Sequence, residues 1–406
     1  MTTTINNEHK KLNVPNLRFP EFQGEWEKFT FDEIAQYKKG PFGSALKKDL
    51  FVPQSENAIK VYEQQNAIKK DWTLSRYYIT KDYFNTYMKQ FVAKAGDLIV
   101  SCAGTIGEVY ELPKDAEEGV FNQALMRVRV NNEIVNKEIF ITVFSSIIDK
   151  FSKIYSNGSA IKNIPPFADL KRTQVYLPCK EEQIVIAQLL RSLDERIATQ
   201  NKIIEDLKML KSAIIEIEYT PNTKTTSHIG NVIEQISKRN KNNAIQNVLS
   251  VSNRQGFIKQ SDQFENRNVA SEDTSNYKIV EKNDFAFNPA RINVGSIARL
   301  TTFEKGIVSP MYICFRTEEN VAPEYIDFFF ESKHFYCEIQ KRLEGSVRQC
   351  LSFEGLCNIP FSLPSLEMQE RIGKRLFTLG QKIKTETDLL ELLNKQKQYL
   401  LRQMFI

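Results

Sequence analysis

The 406-residue chain has only three histidines, His9, His228 and His334, and they lie far apart. Its six cysteines (Cys102, Cys179, Cys314, Cys337, Cys350, Cys357) are scattered without C-x-x-C spacing. A zinc site needs such residues at short fixed intervals, and a disulfide framework belongs to small oxidised domains, so neither is expected. Nowhere do about 18 apolar residues follow one another, as a membrane-spanning helix requires. The start, "MTTTINNEHKKLNVPNLRFPEF", carries no apolar run resembling a secretory signal. The expectation is a cytoplasmic protein with no membrane contact.

Enzyme signatures are missing as well. No G-x-x-x-x-G-K-[ST] loop cradles phosphates, and no G-x-G-x-x-G opens a helix. The dispersed histidines and carboxylates form no spacing suited to acid and base catalysis. "NIPPF", Asn163 to Phe167, is similar to the Asn-Pro-Pro-aromatic motif with which amino-methyltransferases grip adenine. Here Ile164 separates Asn163 from the prolines, so the side-chain amide and the backbone acceptor lose their shared geometry, and the segment reads as an extended connection. No catalytic residue, metal or cofactor is expected.

What is present describes an ordinary globular protein, 41% hydrophobic and 26% charged. At roughly 150 residues per domain the length suggests two or three units. A net charge of +5 permits an acidic partner such as nucleic acid without requiring one.

The strongest pattern is a repeat. "LPCKEEQIVIAQLLRSLDERI" begins at Leu177 and "LPSLEMQERIGKRLFTLGQKI" at Leu363, and residues 177–219 laid on 363–405 share 12 identities in 43 positions. Apolar residues recur at steps of four and three: Ile186, Leu190, Leu193, Ile197, Ile204, Leu207 and Ile214, then Ile372, Leu376, Leu379, Ile383, Leu390, Leu393 and Leu400. That spacing predicts two long helices with coiled-coil seams, each preceded by a proline suited to a helix start. Polar residues interrupt both seams at the same steps, Gln200 and Lys211 in one, Glu386 and Lys397 in the other. In an antiparallel pair, one register sets Lys211 opposite Glu386 and Gln200 opposite Lys397. A register centred nearer the helices' N-terminal ends also buries most apolar positions.

Weaker echoes precede each helix: "GDLIVSCAGTIGEV" and "NDFAFNPARINVGSI", "GVFNQALMRVRV" and "GIVSPMYICFRT", "NGSAIKNI" and "EGSVRQCL". Short β-branched and aromatic runs between Gly, Asn and Pro predict strands, while "KEIFITVFSSIIDKFSKIY" and "PEYIDFFFESKHFYCEIQKRL" each read as one helix. "YTPNTKTTSH" after Tyr219 reads as a linker. The predicted class is α+β: a tail at 1–25, mixed α/β globules at 26–177 and 220–363, and long helices at 178–219 and 364–406 that pair as an antiparallel coiled coil.

Polar and basic loops stand at matching stations of the two halves. The first half offers Lys38, Lys39, Ser44, Lys47 and Lys48, then Gln64, Gln65 and Asn66, then Thr105, Ser159 and Lys162. The second offers Lys238, Arg239 and Lys241, then Asn253, Arg254 and Gln255, then Arg291, Asn293 and Arg348. Lys and Arg neutralise phosphates, and Gln, Asn and Arg make paired hydrogen bonds to base edges. These residues are the predicted DNA contacts.

Together, "LRFPEFQGEWEKFTFDEI", "KKGPFGSALKKD" with "VYEQQNAI", "GDLIVSCAGTIGEV" and the paired "LP…Q…I" helices resemble the DNA-specificity subunit of Type I restriction-modification systems. The resemblance spans nearly the whole chain. It implies that each globule is a target-recognition domain reading one half of a split site in double-stranded DNA, with the helices as an antiparallel spacer. It also implies docking of DNA methyltransferase subunits and of a restriction, DNA-translocating subunit, with no catalysis by the chain itself. Two other readings compete: a self-sufficient DNA methyltransferase or nuclease, which needs the absent motifs, and a coiled-coil scaffold without DNA affinity.

Overall fold

The computed structural model describes residues 13–155, 167–220, 226–253, 255–263, 273–345 and 349–405. It divides into two compact units, residues 1–197 with 392–406, and residues 198–391. The central helix (Lys180–Tyr219) and the C-terminal helix (Leu366–Met404) each contribute residues to both units, so each unit combines a globule with parts of two helices.

In the first unit the strands are β1 (Glu27–Thr30), β2 (Ala35–Lys39), β3 (Ala58–Tyr62), β4 (Tyr78–Thr80), β5 (Val92–Ala93), β6 (Leu98–Ser101), β7 (Val109–Glu111), β8 (Gly119–Phe121), β9 (Leu125–Val130) and β10 (Gln174–Leu177). They form two four-stranded sheets, ordered β2-β9-β6-β7 and β4-β3-β8-β5, and a β1-β10 pair. Every residue of β6 and β8 is buried, which is why "LIVS" and "GVF" lack the alternation of strands with one wet face. The helix Lys137–Tyr155 brings Phe140 and Phe144 against Phe31, and Ile186 and Leu190 of the central helix join the same core with Met404.

The second unit repeats this topology. Its strands are β11 (Thr226–His228), β12 (Ile233–Ile236), β13 (Val248–Ser252), β14 (Gly256–Lys259), β15 (Lys278–Glu281), β16 (Phe285–Phe287), β17 (Ile297–Arg299), β18 (Lys305–Val308), β19 (Ile313–Thr317) and β20 (Pro360–Ser362). The sheets are β12-β19-β16-β17 and β14-β13-β18-β15, with a β11-β20 pair. Among the described residues each unit has one parallel pairing, β3 with β8 and β13 with β18.

Matching residues do matching work. Gly96 and Asn283 hold left-handed turns, at φ 84° and 72°, where glycine and asparagine are the residues tolerated best. The next residue, Asp97 or Asp284, is buried just before its strand, β6 or β16. Asp97 accepts from the Lys94 amide and from Arg129 at 2.6 and 3.0 Å, and Asp284 from the Glu281 amide and from Arg316 at 3.1 Å twice. The glutamine of each "LP…Q" is buried and ties the helix start to its globule. Gln183 donates to Pro178 O and accepts from the Asn136 amide, and Gln369 donates to Pro364 O and accepts from the Ala322 amide.

Three expectations need correction. The second-half helix is two helices, Pro323–Phe329 and Lys333–Gln340, because the Ser332 hydroxyl caps the second by accepting from Phe335 N. Part of the expected linker is strand β11, which pairs with β20, while 221–225 lie outside the described residues. The proposed helix register also fails. Lys211 pairs with Glu331 of the second globule at 2.6 Å, and Glu386 instead accepts from Gln200 at 2.5 Å. Lys397 pairs with Asp194, six residues before its expected partner Gln200, and Glu386 with Gln200, eleven residues before its expected partner Lys211. Sliding one helix by a sum of the four- and three-residue steps keeps apolar positions facing apolar positions, so periodicity alone could not choose the register. Within each unit the helices still run antiparallel, as Gln200 with Glu386 and Glu218 with Arg375 show in the second. Seam positions are buried or half-buried, including Ile186, Leu190, Leu193, Ile204, Ile372, Leu376 and Leu393.

Candidate functional site

Strand direction decides which loops meet. In the first unit β2 and β6 are both antiparallel to β9, so the ends of β2 and β6 lie beside the start of β9. Because β3 runs parallel to β8, their ends also lie together. The turn Asn122–Ala124 joins β8 to β9 and ties these ends to each other. Asn122 N donates to Tyr62 O (3.0 Å), Gly40 N to Leu125 O (2.9 Å) and Cys102 N to Ala124 O (2.8 Å). The loops after β2, β3 and β6 therefore converge on one end of the globule.

In the loops after these strands Lys39, Ser44, Lys47, Lys48, Gln65 and Thr105 are exposed. Lys38 is half-buried, donating to Gln90 Oε1 at 2.8 Å and lying over the Phe91 ring. Gln64 is half-buried, its Oε1 enclosed without a hydrogen-bond donor among the described residues. Asn66 is a correction to the predicted contacts. Its side chain is buried, donating to Asp71 O and Leu74 O and accepting from Glu63 N at 2.8–2.9 Å, so no polar atom remains to meet a base. In β3, burial lowers the Lys60 ammonium below the usual lysine range, with Nζ donating to Trp72 O and lying over the Trp72 and Tyr62 rings.

The second unit converges in the same way through Ser309–Tyr312, between β18 and β19. Val251 N donates to the Tyr312 hydroxyl (3.3 Å), Ser296 Oγ to Val251 O (3.2 Å) and Lys278 Nζ to Tyr312 O (2.6 Å). Asn253 and Arg291 line a cavity of about 390 Å³ with Ser252, Asn288, Ser309 and Tyr312. Lys238, Arg239 and Lys241 are exposed along a groove of about 740 Å³ that Lys305 also lines. Arg239 donates to Asn276 Oδ1 at 2.9 Å. Gln255 is exposed and Asn293 half-buried. Ser159, Lys162, Arg254 and Arg348 lie outside the described residues, as does all of "NIPPF" but Phe167.

Sequence reasoning missed the two connecting turns, where Gln123 and Met311 are exposed at the centre of each convergence. The signal was present: "FNQA" and "VSPM" are the polar breaks in the paired segments "GVFNQALMRVRV" and "GIVSPMYICFRT". Exposed cations beside exposed amides can neutralise phosphates and read base edges. Burial pushes the thiols of Cys102 and Cys314 up to about 12, so these two stay protonated at neutral pH. Among the described residues no group of three His, Cys, Asp or Glu side chains could hold a metal ion, and no helix is long and apolar enough to cross a membrane.

Comparison with known proteins places these features. A family model described as Type I restriction modification DNA specificity domain matches twice, at residues 23–209 and 215–395. The Type I restriction enzyme MjaVIII specificity subunit of Methanocaldococcus jannaschii is 22% identical over 418 residues, covering 95% of this chain and 90% of that one. The crystal structure of the S subunit of a Type I restriction-modification system from M. genitalium has a similar fold, with TM-score 0.56 and 16% identity over 97% of this chain and 99% of that one. A chain from a structure addressing complex assembly and conformational transition of the type I R-M system aligns with TM-score 0.55 and 14% identity, covering 93% of this chain and 96% of the other.

Proposed function

The chain belongs to the Type I restriction modification DNA specificity domain family, and from that premise we propose how its two recognition domains work. It is a DNA sequence-specificity subunit of a Type I restriction-modification system. Each domain reads one half of a split site in duplex DNA with the end on which its loops converge. The observation that carries this reading is the repetition of that convergence: the same strand ends, joined by the same β8–β9 or β18–β19 turn, present cations and amides in both units. Exposed Lys39, Lys47 and Lys48, and Lys238, Arg239 and Lys241, fix the domains on phosphates, while Gln65, Asn253 and Arg291 reach base edges.

The finer parts of the reading concern partners. Methyltransferase subunits dock on the long helices, and a restriction, translocating subunit joins through them. Large apolar side chains left exposed support this: Ile184, Leu392 and Tyr399 in the first unit, Met209, Ile217 and Phe377 in the second. The chain itself performs no methyl transfer, cleavage or ATP hydrolysis, and acts in the cytoplasm where its DNA is. The test is selection of duplexes from a randomised library by the full chain, followed by methylation assays with and without the methyltransferase subunit. A bipartite consensus, with methylation only when the partner is present, is the expected result. Selection of no consensus, or turnover by the purified chain alone, would overturn it.

A further inference from the structure

Phe42 is 90% exposed, more than any other large apolar side chain described in the chain. It stands at the tip of the loop after β2, within the convergence of the first domain, and the exposed Lys39, Lys47 and Lys48 surround it in sequence. A ring so placed returns nothing to folding. The loop nevertheless holds it outward firmly. On one side Gly40 N donates to Leu125 O at 2.9 Å, and Gly40 packs so closely that an added Cβ would lie 1.9 Å from Asn122 O. Pro41 is buried, which fixes the backbone immediately before the ring. On the other side Ala45 N donates to Phe42 O, Tyr83 Oη donates to Ala45 O, both at 2.9 Å, and Leu46 is buried in a core cluster. The ring therefore stays in water until something apolar is offered to it.

We propose that Phe42 is a wedge that enters the stack between two base pairs of the half-site read by the first domain, unstacking that step and kinking the duplex there. This deepens the DNA-reading role proposed above and rests on it. A rigid apolar side chain between cations is the arrangement that unstacking needs: the lysines hold the phosphates on either side while the ring replaces a base-to-base contact. Pyrimidine–purine steps unstack most easily, so the wedge selects for such a step without hydrogen bonding to it. The corresponding loop of the second domain, "SKRNKNNAIQN" from Ser237, has no aromatic residue, so an aromatic wedge from this loop belongs to one half-site alone.

The probe is the duplex that the full chain selects from a randomised library, carrying 2-aminopurine at successive half-site positions and a fluorophore pair at its ends. With the wild-type chain, 2-aminopurine brightens at one step of one half-site and the ends approach. Phe42→Ala removes both signals and weakens binding on the order of tenfold, with the salt slope unchanged because no phosphate contact is lost. Phe42→Trp retains both, and thermal melts matching wild type show that the variants fold. A bend and a brightening unchanged in F42A overturn the wedge. So does an F42A defect that vanishes when the half-site thymines are replaced by uracil, since that identifies a contact to a thymine methyl instead. A chain that selects no duplex overturns the DNA-reading role and the wedge together, whereas one that binds its selected duplex without bending it overturns the wedge alone.

Discussion

At the scale of single residues, exposure separates groups that sequence treats alike. Gln65 and Asn66 are neighbours, yet one side chain faces solvent and the other is consumed by three hydrogen bonds to its own loop. Gln65→Ala is expected to relax preference at one half-site by about 1–3 kcal/mol, whereas Asn66→Ala lowers stability by about 1–3 kcal/mol through the amide and carbonyls it abandons. Binding to a panel of duplexes, alongside urea melts, distinguishes them. Lys47→Ala with Lys48→Ala weakens all sequences alike and flattens the salt slope by about one unit per lost phosphate contact. A change of sequence preference in that double variant would show the lysines to be readers. Asp327 supplies a pH test. Burial pushes its carboxyl up to about 6, against the lowering influence of Arg299. The folded state then holds this proton more tightly than the unfolded chain, whose carboxyl titrates near the ordinary value of about 3.9. Its contribution is therefore present at low pH and lost as pH rises through about 6. The wild type should gain stability relative to Asp327→Asn between pH 7 and pH 5, and an unchanged difference between the two melts would refute the assignment.

At the scale of elements, the long helices show what periodicity can and cannot specify. Steps of four and three marked both helices and their seams, because an apolar stripe at that spacing must be covered. The choice of register rests on polar partners rather than on the apolar steps: Asp194 for Lys397, Gln200 for Glu386, and Glu331, outside the helices altogether, for Lys211. A double-mutant cycle on Lys211 and Glu331 should give a coupling of about 0.2–1 kcal/mol, as exposed pairs do, and a cycle on Lys211 and Glu386 none. Coupling found in the second cycle and absent from the first would restore the register that the sequence suggested. The doubled glutamine of "LP…Q" was visible as an identity, but its task was not, since Asn136 and Ala322 lie 47 residues before their respective glutamines.

At the scale of the whole molecule, the units do not follow the chain's order. Residues 392–406 complete the first unit: Met404 is buried in its core, Phe405 meets Trp26 edge-on, and Leu17 N donates to Gln403 O. Met404→Ala should therefore cost the first unit about 2–5 kcal/mol, the usual loss for truncating a buried methionine. Hydrogen exchange reads this directly, as faster exchange in β6 and β9 with β13 and β19 unaffected. Loss of protection in the second unit, or in neither, would contradict the division.

The sequence by itself determined the repeat, the alternation of globule and long helix, the strand-rich halves and the family resemblance. All of these are written in local spacing, composition and order, where a residue and its signal are close together along the chain. Only the tertiary structure decided that the loops after β2, β3 and β6 share one end, that Gln123 and Phe42 stand among them, and that Asn66 is scaffold. Strand direction and pairing set those outcomes, through hydrogen bonds such as Asn122 N to Tyr62 O that join residues 60 apart. A local pattern names the groups able to meet a partner, and the long-range ladder determines which of them face it.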